Sequence, residues 1–168
     1  MTESQSQDII TRLAGISAES PLGMLRAERP DVQRAAQASF EEIFETGNFD
    51  QLSQVEREAS ALKTAALHAD AGLRVFYRSR LKALGVDDAL IAAVEGTAET
   101  VELPARLAAV LEHVELVTTS PRRSKRENLR KLEAAGLSHA AIVTLSQLVS
   151  FLAFQIRVIA GLKLLENK

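Results

Sequence analysis

The chain has 168 residues, of which 46% are hydrophobic and 25% are charged, and its formal net charge is −2. This composition suits a globular domain and gives no electrostatic attraction for nucleic acid or for an anionic membrane. Because the sequence contains no cysteine, it excludes disulfides, thiolate metal ligands and cysteine nucleophiles.

The residue usage favours helices. Aromatic residues make up only 4% of the chain, whereas alanine and leucine are abundant. Both lose little side-chain freedom in a helix, so we expect an all-α protein. We predict a single domain over residues 1–168, with an N-terminal helical extension over 1–50 and a core over 51–168. The polar, acidic N-terminus has no apolar signal region, so we expect a cytoplasmic location.

Proline and glycine mark the elements of the extension. A short helix is predicted over residues 8–13 and stops at Gly15, and the proline and glycine of residues 21–23 indicate a loop. A proline suited to a first helical turn opens a helix over 30–46, which Gly47 ends.

Caps mark the first helices of the core. Ser53 can accept a hydrogen bond from the Glu56 amide, and the Glu56 carboxylate can reach back to the Ser53 amide, which makes a capping box. The helix that follows pauses near residues 69–70. A second helix then runs to Leu84 and ends at Gly85.

The remaining elements are also helices. Asp87 starts a short helix that Gly96 ends, and another helix is predicted over 104–117. Residues 124–127 resemble a second capping box, and the helix they open ends at Gly136. No segment shows the alternation typical of a strand.

Ser138 caps the last and longest helix. Its most apolar stretch, 140–165, is interrupted by serine, glutamine, arginine and lysine side chains. A membrane span tolerates few such residues near its centre, so we expect a buried helix rather than a membrane helix.

An internal repeat lies beneath these elements. When the chain is shifted by 51 residues, a helix end, a glycine, a polar cap and a new apolar helix coincide. Two generic helix–turn–helix connections would share the same signals. The matching pairs are Leu81 with Leu132, Ala83 with Ala134, Gly85 with Gly136, Val86 with Leu137, Asp87 with Ser138, Ala89 with Ala140, and Ile91 with Ile142.

One pattern runs through residues 52–58, 84–88, 116–121, 132–138 and 151–162. It combines the spacing of the helices, their caps, and a final helix with aromatic, arginine and glycine residues. In this pattern the chain resembles the carboxymuconolactone decarboxylase and alkylhydroperoxidase D-like (AhpD-like) superfamily. The resemblance implies an AhpD-like helical bundle with a two-fold internal helix–turn–helix repeat.

The chain departs from the peroxidases of that superfamily at their signature, a glutamate followed by Cys-x-x-Cys and a histidine. Anchored on Gly85, the register places Glu58 on the glutamate, Asp70 and Leu73 on the cysteines, and Tyr77 on the histidine. Reduction of a peroxide by a dithiol needs one thiolate to attack and a second thiol to resolve the intermediate. Because both cysteines are missing, the chain cannot have peroxidase activity of the family type unless a partner chain supplies the cysteines.

Three residues at these positions are candidate catalytic groups. A desolvated Glu58 could act as a general acid or base, and Tyr77 could donate a hydrogen bond to an oxyanion. Asp70 could accept from amides at a helix end. The structural alternatives, which we weigh more heavily, are a carboxylate stabilised by the helix dipole, a packed tyrosine and a helix cap.

Other patterns give weaker signals. No His-x-x-x-His pair and no glycine-rich phosphate loop is present, so we predict neither a metal site nor a cofactor. We interpret the basic run 122–126 as the solvated start of a helix rather than as a phosphate-binding site. A charge at Arg157, in the apolar final helix, should be paired or lie at an interface, and Glu58 and Glu112 are the candidate partners.

Three functions follow as hypotheses. The first is a non-peroxidase oligomeric scaffold or binding subunit, which would form a homo-oligomer or pair with a cysteine-containing AhpD-like paralogue. The second is a cysteine-independent enzyme of the carboxymuconolactone decarboxylase type, acting on lactone acids. The third is a binder of a small-molecule ligand. Nucleic acid and membrane are not expected partners.

Overall fold

The computed structural model describes residues 8–47, 51–98 and 101–166, and within these ranges every regular element is helical. The predicted all-α class is confirmed. A π-helical turn, Glu42–Thr46, continues the third helix, and a 3-10 turn, Pro121–Arg123, precedes the eighth. The α-helices are α1 (Ile9–Ala14), α2 (Pro21–Ala27), α3 (Pro30–Glu41), α4 (Gln54–Leu67), α5 (Ala71–Ala83), α6 (Asp88–Glu95), α7 (Ala105–Thr119), α8 (Arg126–Ala134) and α9 (His139–Glu166).

The chain divides into two compact units. One combines Met1–Gly47 with Ala153–Lys168, and the other is Asn48–Leu152. The long helix α9 therefore contributes its first half to the second unit and its latter half to the first.

In the first unit, α1 and α2 both pack against α3. Asp8 caps α1 by accepting from the Ile10 amide at 3.1 Å, and its carboxylate also accepts from Nη2 of Arg26 in α2 at 3.1 Å. The Ile9 amide donates to Oε1 of Gln37 in α3 at 2.8 Å. These polar contacts fix two short helices that would be marginal in isolation.

The loop predicted at residues 21–23 is wrong, because this segment forms the first turn of α2. Proline is compatible with that position, where its missing amide would have no partner within the helix. The Ser20 hydroxyl accepts from the Gly23 amide at 3.1 Å and caps the helix. Gly23 serves a close backbone approach, since a Cβ atom there would lie 2.1 Å from the Ser17 carbonyl oxygen.

Helix α4 is at the centre of the second unit, where it packs against α5, α6 and α7. Its predicted capping box is confirmed: the Ser53 amide donates to Glu56 Oε2 at 2.8 Å, and the Glu56 amide donates to Ser53 Oγ at 3.3 Å. The buried apolar side chains of this unit include Leu62, Leu81, Ile91, Val110, Val114, Leu132, Leu145 and Leu148.

The two connections related by the internal repeat share one geometry. Gly85 and Gly136 both adopt left-handed backbone, with φ of 80° and 87°. The amide of the next residue returns to a carbonyl in the last helical turn, at 3.1 Å in the first copy and 3.0 Å in the second. This is the Schellman arrangement. The side chains of Asp87 and Ser138 then cap the following helices, at 2.7 Å and 3.1 Å.

The capping box predicted at residues 124–127 lies one residue too early. The Ser124 amide donates to the Pro121 carbonyl at 3.1 Å and so completes the 3-10 turn. Helix α8 consequently starts at Arg126, and Asn128 Oδ1 accepts from the Lys125 amide at 2.8 Å.

Helix α9 is only partly buried. Leu145, Leu148, Leu152, Ile156 and Ile159 lie on its buried side. The helix is long and apolar enough to cross a membrane by length and composition, with a mean hydropathy of 1.8 in its most apolar window, of which 33% is buried. Core helices pass the same test, so this finding is weak evidence for a membrane.

We expect Gly23→Ala to lower the free energy of unfolding by about 1–3 kcal/mol, because the added methyl group overlaps the Ser17 carbonyl. Gly161→Ala is the matched control: it lies in α9, and a Cβ atom there meets nothing within 4 Å. Alanine at that position should leave stability unchanged or raise it. Urea unfolding followed by circular dichroism measures both. Equal stability of the two variants would contradict the close approach at Gly23.

Candidate functional site

Three consecutive charged residues at the start of α4 are buried. They are Glu56, Arg57 and Glu58, and each has a polar partner. Arg57 donates from Nε to the Leu52 carbonyl at 2.9 Å. Buried charges are costly unless they are paired and hydrogen-bonded, so this segment fixes the helices around it.

Glu58 forms an ion pair across the α4–α5 interface. Nε of Arg80 donates to Glu58 Oε1 at 2.7 Å. The Arg80 guanidinium also lies over the ring of Phe76, 5.7 Å from its centroid, which is a cation–π contact. The charge of the carboxylate is therefore compensated inside the protein.

Tyr77 is buried on α5, the helix that carries Arg80. Its ring meets the ring of Phe76 edge-on, with centroids 5.0 Å apart. Leu73 is buried one turn before Tyr77, and Arg80 follows three residues after it, so all three lie along one side of α5. The register inferred from the sequence thus brings Glu58 and the Tyr77 side of α5 to one helix–helix contact.

Asp70 is the N-cap of α5. Its Oδ1 accepts from the Leu73 amide at 3.0 Å. Ala69, the residue before it, has a positive φ of 55°, which makes the sharp turn between α4 and α5. The geometry of Asp70 is that of the helix cap considered as its structural alternative.

These positions are closed to solvent. Glu58 and Tyr77 both have a relative exposure of 0%. A general acid or base must come within hydrogen-bond reach of the group it serves. In this conformation a substrate in solvent therefore touches neither side chain.

The second buried carboxylate, Glu56, binds Arg106. Nε of Arg106 donates to Glu56 Oε1 at 2.6 Å, Nη1 donates to the Gly136 carbonyl at 2.6 Å, and Nη2 donates to the Gln51 carbonyl at 3.0 Å. A cleft of about 540 Å³ lies beside this network and is lined partly by the apolar side chains of Val55, Leu90 and Leu107. Each of the three guanidinium nitrogens of Arg106 therefore donates one hydrogen bond to a structural acceptor.

The sequence did not reveal the roles of Arg80 and Arg106. A signal was present for Arg80, because a cation three residues after Tyr77 and seven after Leu73 falls on the apolar side of its helix. Arg106 gave no such signal, since its partners lie 30 to 55 residues away in the sequence.

The pair predicted for Arg157 is wrong. Arg157 is exposed, and its Nη1 lies 3.4 Å from the Ala153 carbonyl of its own helix. Glu58 instead pairs with Arg80, and Glu112 pairs with Lys131 at 2.5 Å. The apolar composition of α9 suggested that Arg157 would be buried, but the residue falls on the exposed side of the helix.

Two of the three histidines, His113 and His139, lie far from Glu58 and Tyr77 in sequence and have different environments. His113 is buried, and burial lowers the pKa of its imidazole. His139 is exposed, and its Nε2 lies 2.9 Å from Glu133 Oε1. In the described ranges no group of three histidine, aspartate or glutamate side chains is placed to hold a metal ion.

We expect Arg80→Met to lower the free energy of unfolding by about 3 kcal/mol, because it leaves the Glu58 carboxylate buried without its cation. The double variant Glu58→Gln with Arg80→Met should recover much of this loss, since it removes the buried charge. Urea unfolding of both variants and the parent measures the difference. An Arg80→Met protein as stable as the parent would contradict the buried pair.

No family model matches the sequence, and no curated protein matches it significantly. Solved structures are nevertheless similar to it. One is an uncharacterized peroxidase-related protein from a Silicibacter species, with a TM-score of 0.72 and 18% identity over 91% of this chain and 78% of that one. Another, described as an alkylhydroperoxidase AhpD core, is an uncharacterized peroxidase-related protein from Ralstonia eutropha, with a TM-score of 0.72 and 18% identity over 90% of this chain and 78% of that one.

These similarities confirm at the level of the fold what the sequence resemblance implied. The chain has the all-α fold of the alkylhydroperoxidase AhpD core, built from a sequence without cysteine.

Proposed function

We propose that this chain is a cytoplasmic, non-peroxidase member of the alkylhydroperoxidase D-like superfamily that serves as an oligomeric scaffold subunit. The observation that carries the proposal is the filled α4–α5 interface. The positions that correspond to the redox residues of family peroxidases are occupied by the cap Asp70 and by the buried side chains of Leu73 and Tyr77. Packing, rather than chemistry, accounts for each of them.

The ion pair between Glu58 and Arg80 supports the same conclusion. The guanidinium of Arg80 donates to Glu58 Oε1 at 2.7 Å and compensates the buried carboxylate within the helix contact. The arrangement suits a helix contact more than a general base.

The surface of α9 supports assembly into a homo-oligomer. Phe154, Leu164 and Leu165 expose apolar area on the latter half of the helix. Exposed apolar patches of this kind mark contact surfaces between proteins.

We expect the parent protein to elute as an oligomer at micromolar concentration in size-exclusion chromatography with light scattering. Leu164→Glu should shift it towards the monomer, because a carboxylate at a side chain that is 72% exposed in the single chain would be desolvated on assembly. Val75→Glu is the matched control, since Val75 is an apolar residue of α5 that is 67% exposed.

Two outcomes would contradict assembly through α9. The first is a parent protein that is monomeric at micromolar concentration. The second is an oligomer that Val75→Glu disrupts as strongly as Leu164→Glu. A partner chain with cysteines is a separate case: it would appear as a hydroperoxidase activity that the present chain lacks alone and acquires on mixing.

A cysteine-independent decarboxylase is the second candidate, and the observation in its favour is that Glu58 is paired with Arg80, three residues after the buried Tyr77 on the same side of α5. Catalysis would require the interface to open, so that Glu58 leaves Arg80 and Tyr77 can donate to an oxyanion. Incubation of the protein with lactone acids, followed by measurement of released carbon dioxide, tests this function. We expect no turnover. Turnover that Glu58→Gln abolishes would overturn the scaffold proposal in favour of the enzyme.

A further inference from the structure

A groove of about 500 Å³ runs between α8 and the first half of α9, within the second unit. Apolar side chains of both helices line part of it: Ile142 is almost fully buried, while Leu129 and Val143 are 41% and 56% exposed. The rest of the lining is formed by Arg126, Arg130, Glu133 and His139. The volume falls in the range of small-molecule sites. Leu129 of α8 and Val143 of α9 are both exposed to solvent. Together they form a surface on which the apolar part of a ligand could be buried.

Charge is distributed unevenly along this groove. Arg126, Leu129, Arg130 and Glu133 follow the spacing of one helix face, so two cations lie towards the start of α8 and a carboxylate lies near its end. At that far end Glu133 is paired with His139 at 2.9 Å.

Within the described ranges the two cations lack a carboxylate partner, since neither Arg126 nor Arg130 forms an ion pair there. They belong to the run 122–131, which has six basic residues and one acidic residue in a chain of net charge −2. The mouth of the groove at Arg126 and Arg130 is therefore a local concentration of positive charge.

We propose that this groove binds a small amphiphilic monocarboxylate, an organic acid with an alkyl body of medium length. The planar guanidinium groups of Arg126 and Arg130 match the geometry of a carboxylate head group. The alkyl body lies against Leu129, Ile142 and Val143, where its burial removes apolar surface from water. The site lies outside the α4–α5 interface and does not depend on assembly through α9.

The acidic end of the groove gives the site a selectivity. A second carboxylate at the far end of the ligand would approach Glu133, and like charges repel. A monocarboxylate is therefore bound in preference to a dicarboxylate of the same length.

Isothermal titration calorimetry with octanoate, at an ionic strength of about 0.15 M to screen distant charges, tests the proposal. We expect saturable binding of one octanoate per chain. Arg126→Gln with Arg130→Gln should raise the dissociation constant by about tenfold, as expected for the loss of charge-assisted hydrogen bonds. Octanol, which lacks the charge, and suberate, which carries a second carboxylate, should both bind more weakly than octanoate.

Arg122→Gln with Arg123→Gln is the matched control, because it removes the same charge from the 3-10 turn, whose arginines line a different cleft. It should leave octanoate binding within about twofold of the parent, since exposed charges that do not touch the ligand are screened at this salt concentration. An equal loss in both double variants, or octanol bound as tightly as octanoate, would overturn the proposal. So would an absence of saturable octanoate binding, including the case in which the protein binds only to anionic phospholipid vesicles.

Discussion

The second unit depends on one guanidinium group, that of Arg106 at the start of α7. It joins three places that are remote in sequence: the Gln51 carbonyl before α4, the Glu56 carboxylate in the first turn of α4, and the Gly136 carbonyl between α8 and α9. The planar group can serve all three because its donors diverge in a fixed geometry. A lysine at this position would have a single ammonium group and could not reproduce the pattern. The helices around α4 therefore hold their places through a polar contact as well as through apolar packing.

A buried carboxylate paired with an arginine also joins the helices of the α4–α5 interface. Glu58 is the buried charge of this interface, and Arg80 of the facing helix compensates it. Leu73 and Tyr77 are buried on the same side of α5 as Arg80. The similarity to the AhpD core therefore describes the frame and leaves the use of this interface open, since function belongs to particular side chains and not to the fold.

Local signals in the sequence predicted most of the helix boundaries. Ser53, Asp87 and Ser138 cap helices as expected, because a cap is decided by residues within one turn of it. The loop expected at residues 21–23 was wrong because Gly23 is there for its close approach to the Ser17 carbonyl. The pattern of proline and glycine does not show this contact. The arginine partners of Glu58 and Glu56 were not predicted, because each ion pair joins separate helices. Exposure of Arg157 likewise depends on which side of α9 is covered, and composition does not specify this.

The division of α9 between the two units has a consequence for biosynthesis. The first unit draws on the chain up to Gly47 and again from Ala153 onwards, with the whole of the second unit between them. A ribosome releases the N-terminal helices long before it makes the segment that completes their unit, whereas the second unit has all its parts earlier. Nascent α1, α2 and α3 must wait with apolar side chains such as Phe40 and Phe44 incompletely covered. Chaperone dependence during translation should therefore concentrate on α1, α2 and α3, which are made before the segment that completes their unit.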